Sequence, residues 1–537
     1  MPRFRKAAIA GLLVFPLVAG AFVIQERSAQ SGARLFDQVL GLVAERYVDS
    51  VDVGALYEKA ARGLIAQLKD PYAELYTPKQ VEAFNQNTGG YYAGTGMSIE
   101  DQHGNITVVK VFPHTPASEA GIMLGDQIVY VDSFSVRGRA WKVDSVSAHL
   151  KGPPGTKVTA KFARPGVTDL ITVPFTRRVV RIPAVEFSMM LDNKTAYIPV
   201  QQFNETAAPE VAAALQRLTA EGAKSVILDL RGNGGGYLPQ ALEMTNLFIP
   251  KGKEIVSVRG RGEAPVTYTT ENPAMAATLP MVVLTDGYTA SASEIVAGAL
   301  QDHDRALLLG TTSFGKGLVQ GMYQLDGGYE IKLTTAKWYT PSGRSIQKER
   351  VLTDDGQLVE VHPDSVETDS ERLARPKFRS DGGRIVYGGG AITPDVYVPY
   401  DTLTTPEQTL ARALNGKSGL ETALTLDAYG LEMKTKVKPD FKVTPEMLED
   451  VYQRLAKRGV DVNRKDWDAG AHYIERIIDA RISGFAFGDS TAKRRQIADD
   501  PQLLKALDVL KKGTTTKELL ALATTASTGR VSKPKQK

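Results

Sequence analysis

Apolar residues recur at helical spacing early in the chain, at Leu35, Phe36, Val39, Leu40, Val43 and Tyr47, then at Leu56, Ala60, Leu64, Ile65 and Leu68. This pattern predicts helix across 33–90, closed at Asp70-Pro71. From Tyr91 to about Arg177 the texture changes to short β-type runs cut by glycine, such as Ile106–Val111 and Gln127–Val131, with Gly125-Asp126 between them. Between 195 and about 340, apolar strands such as Ser225–Leu230, Pro280–Leu284 and Ala306–Leu309 alternate with helical stretches, which argues an α/β layer. Residues 350–388 are polar and weakly patterned. After 405 the helical period returns: Thr444-Pro445 opens a helix carrying Met447, Leu448, Val451 and Leu455 on one face and ending at Gly459. Asp500-Pro501 opens another with Leu503, Leu504, Leu507 and Leu510, and the tail from Ser527 is polar and basic. Tyr197-Ile-Pro199 puts a proline in a predicted strand and suggests a sheet edge.

The N-terminus carries Arg3, Arg5 and Lys6 ahead of an uncharged, mostly apolar stretch from Ala7 to Ile24, the pattern of an export signal. Ala19-Gly20-Ala21 suits cleavage, while about 18 residues also suffice to span a bilayer, so a removed signal and a retained anchor both stay open. The segments expected are therefore 1–30 (signal or anchor), 31–90 (helical), 91–178 (β-rich), 179–404 (α/β) and 405–537 (helical).

Composition narrows the chemistry. The 537 residues, 42% apolar and 23% charged, are globular in character and long enough for about three to four domains. A net charge of +4 is a poor footprint for nucleic acid. Cysteine is absent, which excludes thiol nucleophiles, disulfides and thiolate metal sites. The six histidines show no HExxH-like pair, so a two-histidine metal centre is disfavoured, and no cofactor is expected.

Three stretches at predicted strand ends could carry reactivity. Asp229-Leu-Arg231-Gly-Asn233-Gly-Gly-Gly236 has the wrong spacing for dinucleotide binding; a tight turn and an oxyanion-binding loop both remain. Gly310–Gly317 nearly matches a phosphate loop, but glycine replaces the required hydroxyl and the chain continues as strand, so Lys316 needs another role. In Thr289-Ala-Ser291-Ala-Ser293-Glu294, Ser291 with Glu294 reads first as a helix capping box, and second as a nucleophilic serine between strand and helix. Composition and pattern do not separate Ser291 from Ser293. His303 lies at the far end of that helix, about 18 Å away at 1.5 Å per residue. A buried lysine of lowered pKa can serve as base instead, and Lys316, with Gln320 four residues on, is the candidate.

Together these residues resemble the carboxyl-terminal processing peptidases, or tail-specific proteases, which use a serine–lysine dyad and carry an inserted PDZ domain. Ser291–Glu294, Gln301-Asp302, Phe314–Gly317 and Val319-Gln320 stand in that family's order and spacing. Asp229–Arg231, Leu333–Ala336, Tyr339–Ile346, Gly388–Gly390 and Ile392–Asp395 extend the likeness over about 35–400. It implies an α/β protease core of crotonase-like type, with Ser291 as nucleophile, Lys316 as general base and Gln320 orienting the lysine. The N–H groups of Gly236 and Ala292 are the implied oxyanion hole, Gly235 is the weaker donor, and Asp302 is structural. Segment 91–178 is similar to a PDZ module. Gly94-Thr95-Gly96-Met97 would be its carboxylate-binding loop, Ser98-Ile99 the edge that pairs with a peptide, and Val143 and Val146 the apolar wall.

The implied protein is an exported, periplasmic or membrane-anchored bacterial serine endopeptidase acting on unfolded polypeptides near their C-termini, with the C-terminal helices as a possible assembly or adaptor surface. A PDZ scaffold without hydrolysis and a crotonase-like acyl-CoA enzyme are the rivals; the first is opposed by Ser291, Lys316 and Gln320, the second by the export signal and the PDZ-like segment.

Overall fold

A computed structural model describes residues 32–102, 104–136, 141–262, 264–353, 358–360 and 374–527. The predicted export segment and the last ten residues lie outside the described residues, as does most of the polar stretch 354–373. The described chain forms two units. The smaller contains 32–78 and 320–334 with the described part of 352–358; the larger contains 79–319, 335–351 and the described residues from 359 on.

In the smaller unit the helical period is realised as a helix over 32–46 and a helix Val53–Ala66, which Asp52 caps through Ala55 N–H. Asp70-Pro71 does end the helical run, and strand Glu74–Tyr76 follows, pairing antiparallel with Glu330–Lys332. Leu35, Val39 and Leu42 are each more than half exposed, while Leu40 and Val43 are half-buried and the Phe36 ring lies 6.3 Å from that of Tyr57, so the predicted apolar face is only partly covered. Tyr329 Oη donates to Glu58, and Arg62 pairs with the same carboxylate at 2.8 Å.

The larger unit begins at Lys79, within the helix Pro78–Gly89, and continues into a β-rich module, a sheet ordered Met97–Gln102, Asn105–Val111, Gln127–Val131, Lys157–Ala163 and Ile171–Thr176. Helices Pro116–Glu119 and Val143–Leu150 close it over Ile106, Val108, Ile128, Phe162 and Phe175. Asp126, fully buried, is held by Arg164 at 2.7 Å, which explains the Gly125-Asp126 turn signal.

The α/β layer is a six-stranded sheet in the order Met189–Met190, Thr195–Pro199, Ser225–Asp229, Met281–Thr285, Leu307–Gly310, Val396–Tyr397; the first pair is antiparallel and the rest parallel. Its strands read as unbroken apolar runs because both faces are covered. Ile198, Val226, Leu228, Val283 and Leu308 pack against helices Ala207–Ala220, Leu238–Asn246 and Ala292–Asp302. The alternate residues Tyr197, Ile227, Val282, Leu284, Leu307 and Leu309 pack against Leu503, Ala506, Val509, Leu519 and Leu520 of helices Pro501–Lys512 and Thr516–Ser527. The chain's last helices thus roof the sheet. The preceding helices, Thr405–Asn415 to Ala471–Phe487, build their own core around Leu410, Leu426, Trp467, Ile474 and Ile478.

The proline at 199 does not mark an edge strand. Thr195–Pro199 is buried throughout and lies between two strands. Proline is tolerated there because the outer neighbour spans only Met189–Met190, paired with Tyr197 and Ala196, so nothing asks for an N–H at the strand's last residue.

Candidate active site

Strand Ser225–Asp229 delivers the glycine run, and strand Met281–Thr285 delivers the turn 286–290 beside it. Asp286 ties the two together, accepting N–H bonds from Gly232, Tyr288 and Thr289. Asn233, with no exposed surface, turns the glycine loop: its Oδ1 accepts Gly235 N–H at 2.9 Å, and its carbonyl accepts Ala290 N–H and the Ser293 hydroxyl, each at 3.0 Å. Gly235 has φ +94°, and a Cβ there would lie 2.6 Å from Ala290 O and 2.9 Å from both Ala292 N and Ser291 Cβ. Only glycine lets this loop touch the serine turn.

The two serines separate on geometry. Ser293 is fully buried and its hydroxyl is spent on Asn233. Ser291 is half-buried, and its backbone, at φ +55° and ψ −113°, sits in a region that L-residues avoid. Such strain persists where the surroundings impose it, commonly at functional sites. The Ser291 hydroxyl does not cap the helix. The predicted capping box is present in arrangement, with Glu294 Oε2 accepting Ser291 N–H at 2.8 Å and Glu294 N–H donating to the Ser291 carbonyl at 2.9 Å. Gly235 N–H is consumed by Asn233, whereas the N–H groups of Gly236 and Ala292 have no protein acceptor among the described residues.

Lys316 is fixed by its backbone. Its N–H donates to the same Glu294 Oε2 at 2.9 Å, and its carbonyl accepts the Trp338 indole N–H at 3.0 Å. One carboxylate oxygen therefore holds Ser291 N and Lys316 N within about 6 Å of each other. The other oxygen accepts Ser313 Oγ at 2.5 Å and Gly315 N–H at 2.7 Å. Gly315, the glycine of the false phosphate-loop match, has φ +84° and would press a Cβ to 2.6 Å from Lys348 Cγ, so it serves the backbone rather than an anion. Burial pushes the Glu294 carboxyl above its ordinary range, while Ser313 and the three N–H groups pull it down. All four partners are donors, which matches an ionised carboxylate.

Gln320 belongs to the smaller unit, where its amide donates to Thr334 Oγ1 at 3.4 Å. His303 is spent, one ring nitrogen on Asp381 and the other on the Glu254 carbonyl. Asp302 is buried against Arg344 at 2.8 Å and accepts Ser342 N–H, a packing role. In the β-rich module, Gly94, Thr95, Gly96 and Met97 are all buried. Val143 lies at the rim of the core, and Val146 is wholly inside it with no surface to present.

Sequence reasoning missed the second job of Glu294 and a polar cluster behind the glycine loop. There Arg231 meets Asp229 and Asp500, Tyr197 Oη donates to Asp229, and Gln502 accepts from Arg231 at 2.8 Å. Burial pulls the Arg231 guanidinium down, but the two carboxylates outweigh it and hold its pKa above the ordinary value. This cluster lines a cavity of about 380 Å³. The Asp229-Leu-Arg231 motif was its only trace in sequence. Among the described residues no group of acids and histidines is placed to hold a metal ion, and no helix is long and apolar enough to cross a membrane.

Comparison with known proteins gives two domain matches: residues 194–356 to peptidase family S41, and residues 94–175 to the PDZ domain. The carboxy-terminal processing protease CtpA of Bacillus subtilis is 35% identical over 348 residues, 64% of this chain and 74% of that protein. A carboxy-terminal-processing protease of Bartonella bacilliformis is 35% identical over 317 residues, 58% of this chain and 72% of that protein. The solved photosystem II D1 C-terminal processing protease is 28% identical, covering 64% of this chain and 93% of its own, with a TM-score of 0.36.

Proposed function

The chain belongs to peptidase family S41 and is a serine-type protease with a PDZ domain; from that premise we propose that it cleaves polypeptides near their C-termini with Ser291 as nucleophile and Lys316 as general base. The observation that carries this reading is the pair of unclaimed N–H groups, Gly236 and Ala292, beside a strained, half-buried Ser291 whose backbone shares one carboxylate oxygen with Lys316.

The neutral Lys316 amine takes the Ser291 hydroxyl proton as Oγ attacks the scissile carbonyl. The carbonyl oxygen becomes an oxyanion, received by the two N–H groups and by the start of helix Ala292–Asp302. The protonated lysine then gives its proton to the departing amine. Water, deprotonated by the same lysine, releases the acyl group and restores Ser291. Gln320 orients the lysine amine. The core is of crotonase-like type, and Gly94–Met97 receives the substrate's terminal carboxylate. Export, to the periplasm or to the outer face of the cytoplasmic membrane, follows from the basic-then-apolar N-terminus.

The test uses the purified full chain, in detergent and in soluble form, with an unfolded reporter bearing an apolar C-terminal tail, beside Ser291→Ala and Lys316→Ala. Cleavage by the parent alone is expected across pH 6–9 on the order of the usual enzyme range. Cleavage by Ser291→Ala overturns the site, and absence of cleavage by the parent overturns the function.

A further inference from the structure

Glu294 grips the loop that carries Lys316 from one side. Its two oxygens take the N–H groups of Gly315 and Lys316, so the peptide groups 314–315 and 315–316 both turn their N–H ends to a buried carboxylate. The N–H and C=O of a trans peptide point in opposite directions, so the carbonyl ends face away from Glu294. On that side stands Arg350, the first residue of the polar stretch 350–388. One guanidinium nitrogen donates to the Gly315 carbonyl at 3.1 Å, and the other donates to the Phe314 carbonyl. The Gly315 carbonyl also accepts Lys348 N–H at 3.1 Å, whereas the Phe314 carbonyl has no second donor among the described residues.

Arg350 is itself fixed. Its side chain is 5% exposed, and Glu360 pairs with it at 2.8 Å. Its guanidinium carbon lies 3.8 Å from the centroid of the Phe314 ring, a cation held against an aromatic face. Glu360 also takes the Lys348 ammonium, at 3.4 Å. The two peptide groups before Lys316 are thus held between a carboxylate at their N–H ends and a guanidinium at their C=O ends. Bonds to ionised partners are shorter and stronger than neutral ones. Gly315, at φ +84° and without a side chain, is the joint about which Lys316 would otherwise swing. Without Arg350 the 315–316 group keeps Lys348 N–H on its carbonyl, but the 314–315 group is held at its N–H end alone.

We infer that Arg350 is a positioning residue for the general base: by holding the carbonyl side of the 314–316 backbone it sets the reach of Lys316 toward Ser291. The start of the polar stretch thereby belongs to the catalytic apparatus. Arg350 acts through the backbone of Lys316, so its share shows in kcat rather than in KM.

This role rests on Lys316 being the base, and the two claims fail separately in one experiment. The full chain is prepared as parent, Lys316→Ala, Arg350→Lys and Arg350→Met, and thermal melts set an assay temperature at which the variants are folded. Cleavage of a quenched fluorescent unfolded reporter is resolved into kcat and KM, and labelling of Ser291 by a fluorophosphonate probe is timed on the same preparations. Arg350→Met should lower kcat and the labelling rate about thirtyfold, the scale of a displacement somewhat under 1 Å, with KM within a few-fold. Arg350→Lys keeps the charge and one donor but loses the fork, and should recover part of that loss. If Arg350→Met does not fold, Arg350→Lys decides alone, with an expected loss of about fivefold in both rates, the worth of one hydrogen bond. Parental kcat in the folded Arg350 variants, beside an inactive Lys316→Ala, overturns the Arg350 role alone. A raised KM at parental kcat overturns it too, as does a lysine variant no faster than the methionine one. If Lys316→Ala cleaves as the parent does, or the parent does not cleave, the reading of Lys316 as base fails and takes this role with it.

Discussion

Glu294→Gln is the sharpest probe of how this site is held together. Each carboxylate oxygen accepts two donors, Ser291 N–H and Lys316 N–H on one, Ser313 Oγ and Gly315 N–H on the other. Whichever way a glutamine amide is turned, its NH2 meets two donors and both bonds are lost. Hydrogen bonds to a charged group contribute about 1.5–3 kcal/mol each, a gross loss of about 3–6 kcal/mol. The neutral side chain also escapes the desolvation of a fully buried carboxylate, which offsets several kcal/mol. The net loss of stability should be about 2–3 kcal/mol, roughly 2–3 °C in Tm for a chain of this size.

Activity should suffer more than stability, because the lost bonds fix the positions of Ser291 and Lys316. A misplacement of about 1 Å costs on the order of a hundredfold in rate. The assay is steady-state cleavage of a quenched fluorescent unfolded substrate, with Tm and peptide binding measured on the same preparations. The expected signature is kcat down about a hundredfold, KM within a few-fold and binding at the PDZ domain unchanged. Glu294→Asp retains the charge but is about 1.5 Å too short to reach both loops, and should also lose kcat. A Glu294→Gln protein with lowered Tm but parental kcat would refute the reasoning, since the carboxylate would then be only a brace.

Arg344→Met strands the buried Asp302 carboxylate, with both partners about 1% exposed, and should cost about 3–5 kcal/mol in chemical denaturation. Adding Asp302→Leu should recover part of that, and no recovery would mean the ion pair is not the cause. Asp500→Ala removes the N-terminal cap of helix Pro501–Lys512 together with its pairing to Arg231. A loss of about 1–3 kcal/mol is expected, with hydrogen exchange speeding up first in 501–527; uniform speeding across the chain would contradict this. The Tyr92 phenol is pushed up to about 12 by burial, so the folded form prefers it neutral. Its contribution to stability is complete below the unfolded value of about 10 and is lost as pH rises from there toward 12. A stability profile over that range should fall less steeply for Tyr92→Phe, and identical slopes would argue against it.

The layered core was readable because its strands are apolar on both faces, and Ile227 and Leu228 do face opposite helical layers. What covered the outer face was not readable, since nothing in Leu503 or Leu519 names the strand it meets some two hundred residues earlier. The helix at 32–46 followed from its period, but the period could not show that Leu35 and Leu42 would stay exposed. Pro199 misled because the rule against proline in interior strands assumes a full-length neighbour, and here the neighbour is two residues long. The site was legible as residue types: a serine, a lysine, a glycine loop. Its connections were not. The choice between Ser291 and Ser293 depends on where the Asn233 carbonyl points.

The capping box and the nucleophile first looked like competing uses of one serine, and the geometry makes them compatible. A conventional N-cap serine turns its hydroxyl onto the helix N–H groups, which would remove the oxygen from chemistry. Here the side chain stands in the box without making a cap hydrogen bond: Glu294 accepts Ser291 N–H, and Glu294 N–H is taken by the Ser291 carbonyl rather than by the hydroxyl. The backbone at φ +55° is a conformation that costs about 1–3 kcal/mol and needs outside support. That support comes from the same Glu294 contact and from Gly235, whose missing Cβ gives the turn its room. Gly235→Ala should therefore lower kcat without touching a reacting group. A Cβ placed 2.6 Å from Ala290 O and 2.9 Å from Ser291 Cβ must push the serine turn or its own loop aside. With φ at +94° the alanine is strained as well, so a loss of at least a hundredfold in kcat is expected, with peptide binding preserved. Parental turnover in that variant would mean that the serine turn does not depend on the glycine loop for its shape, and the account of why Ser291 stays strained and uncapped would fall.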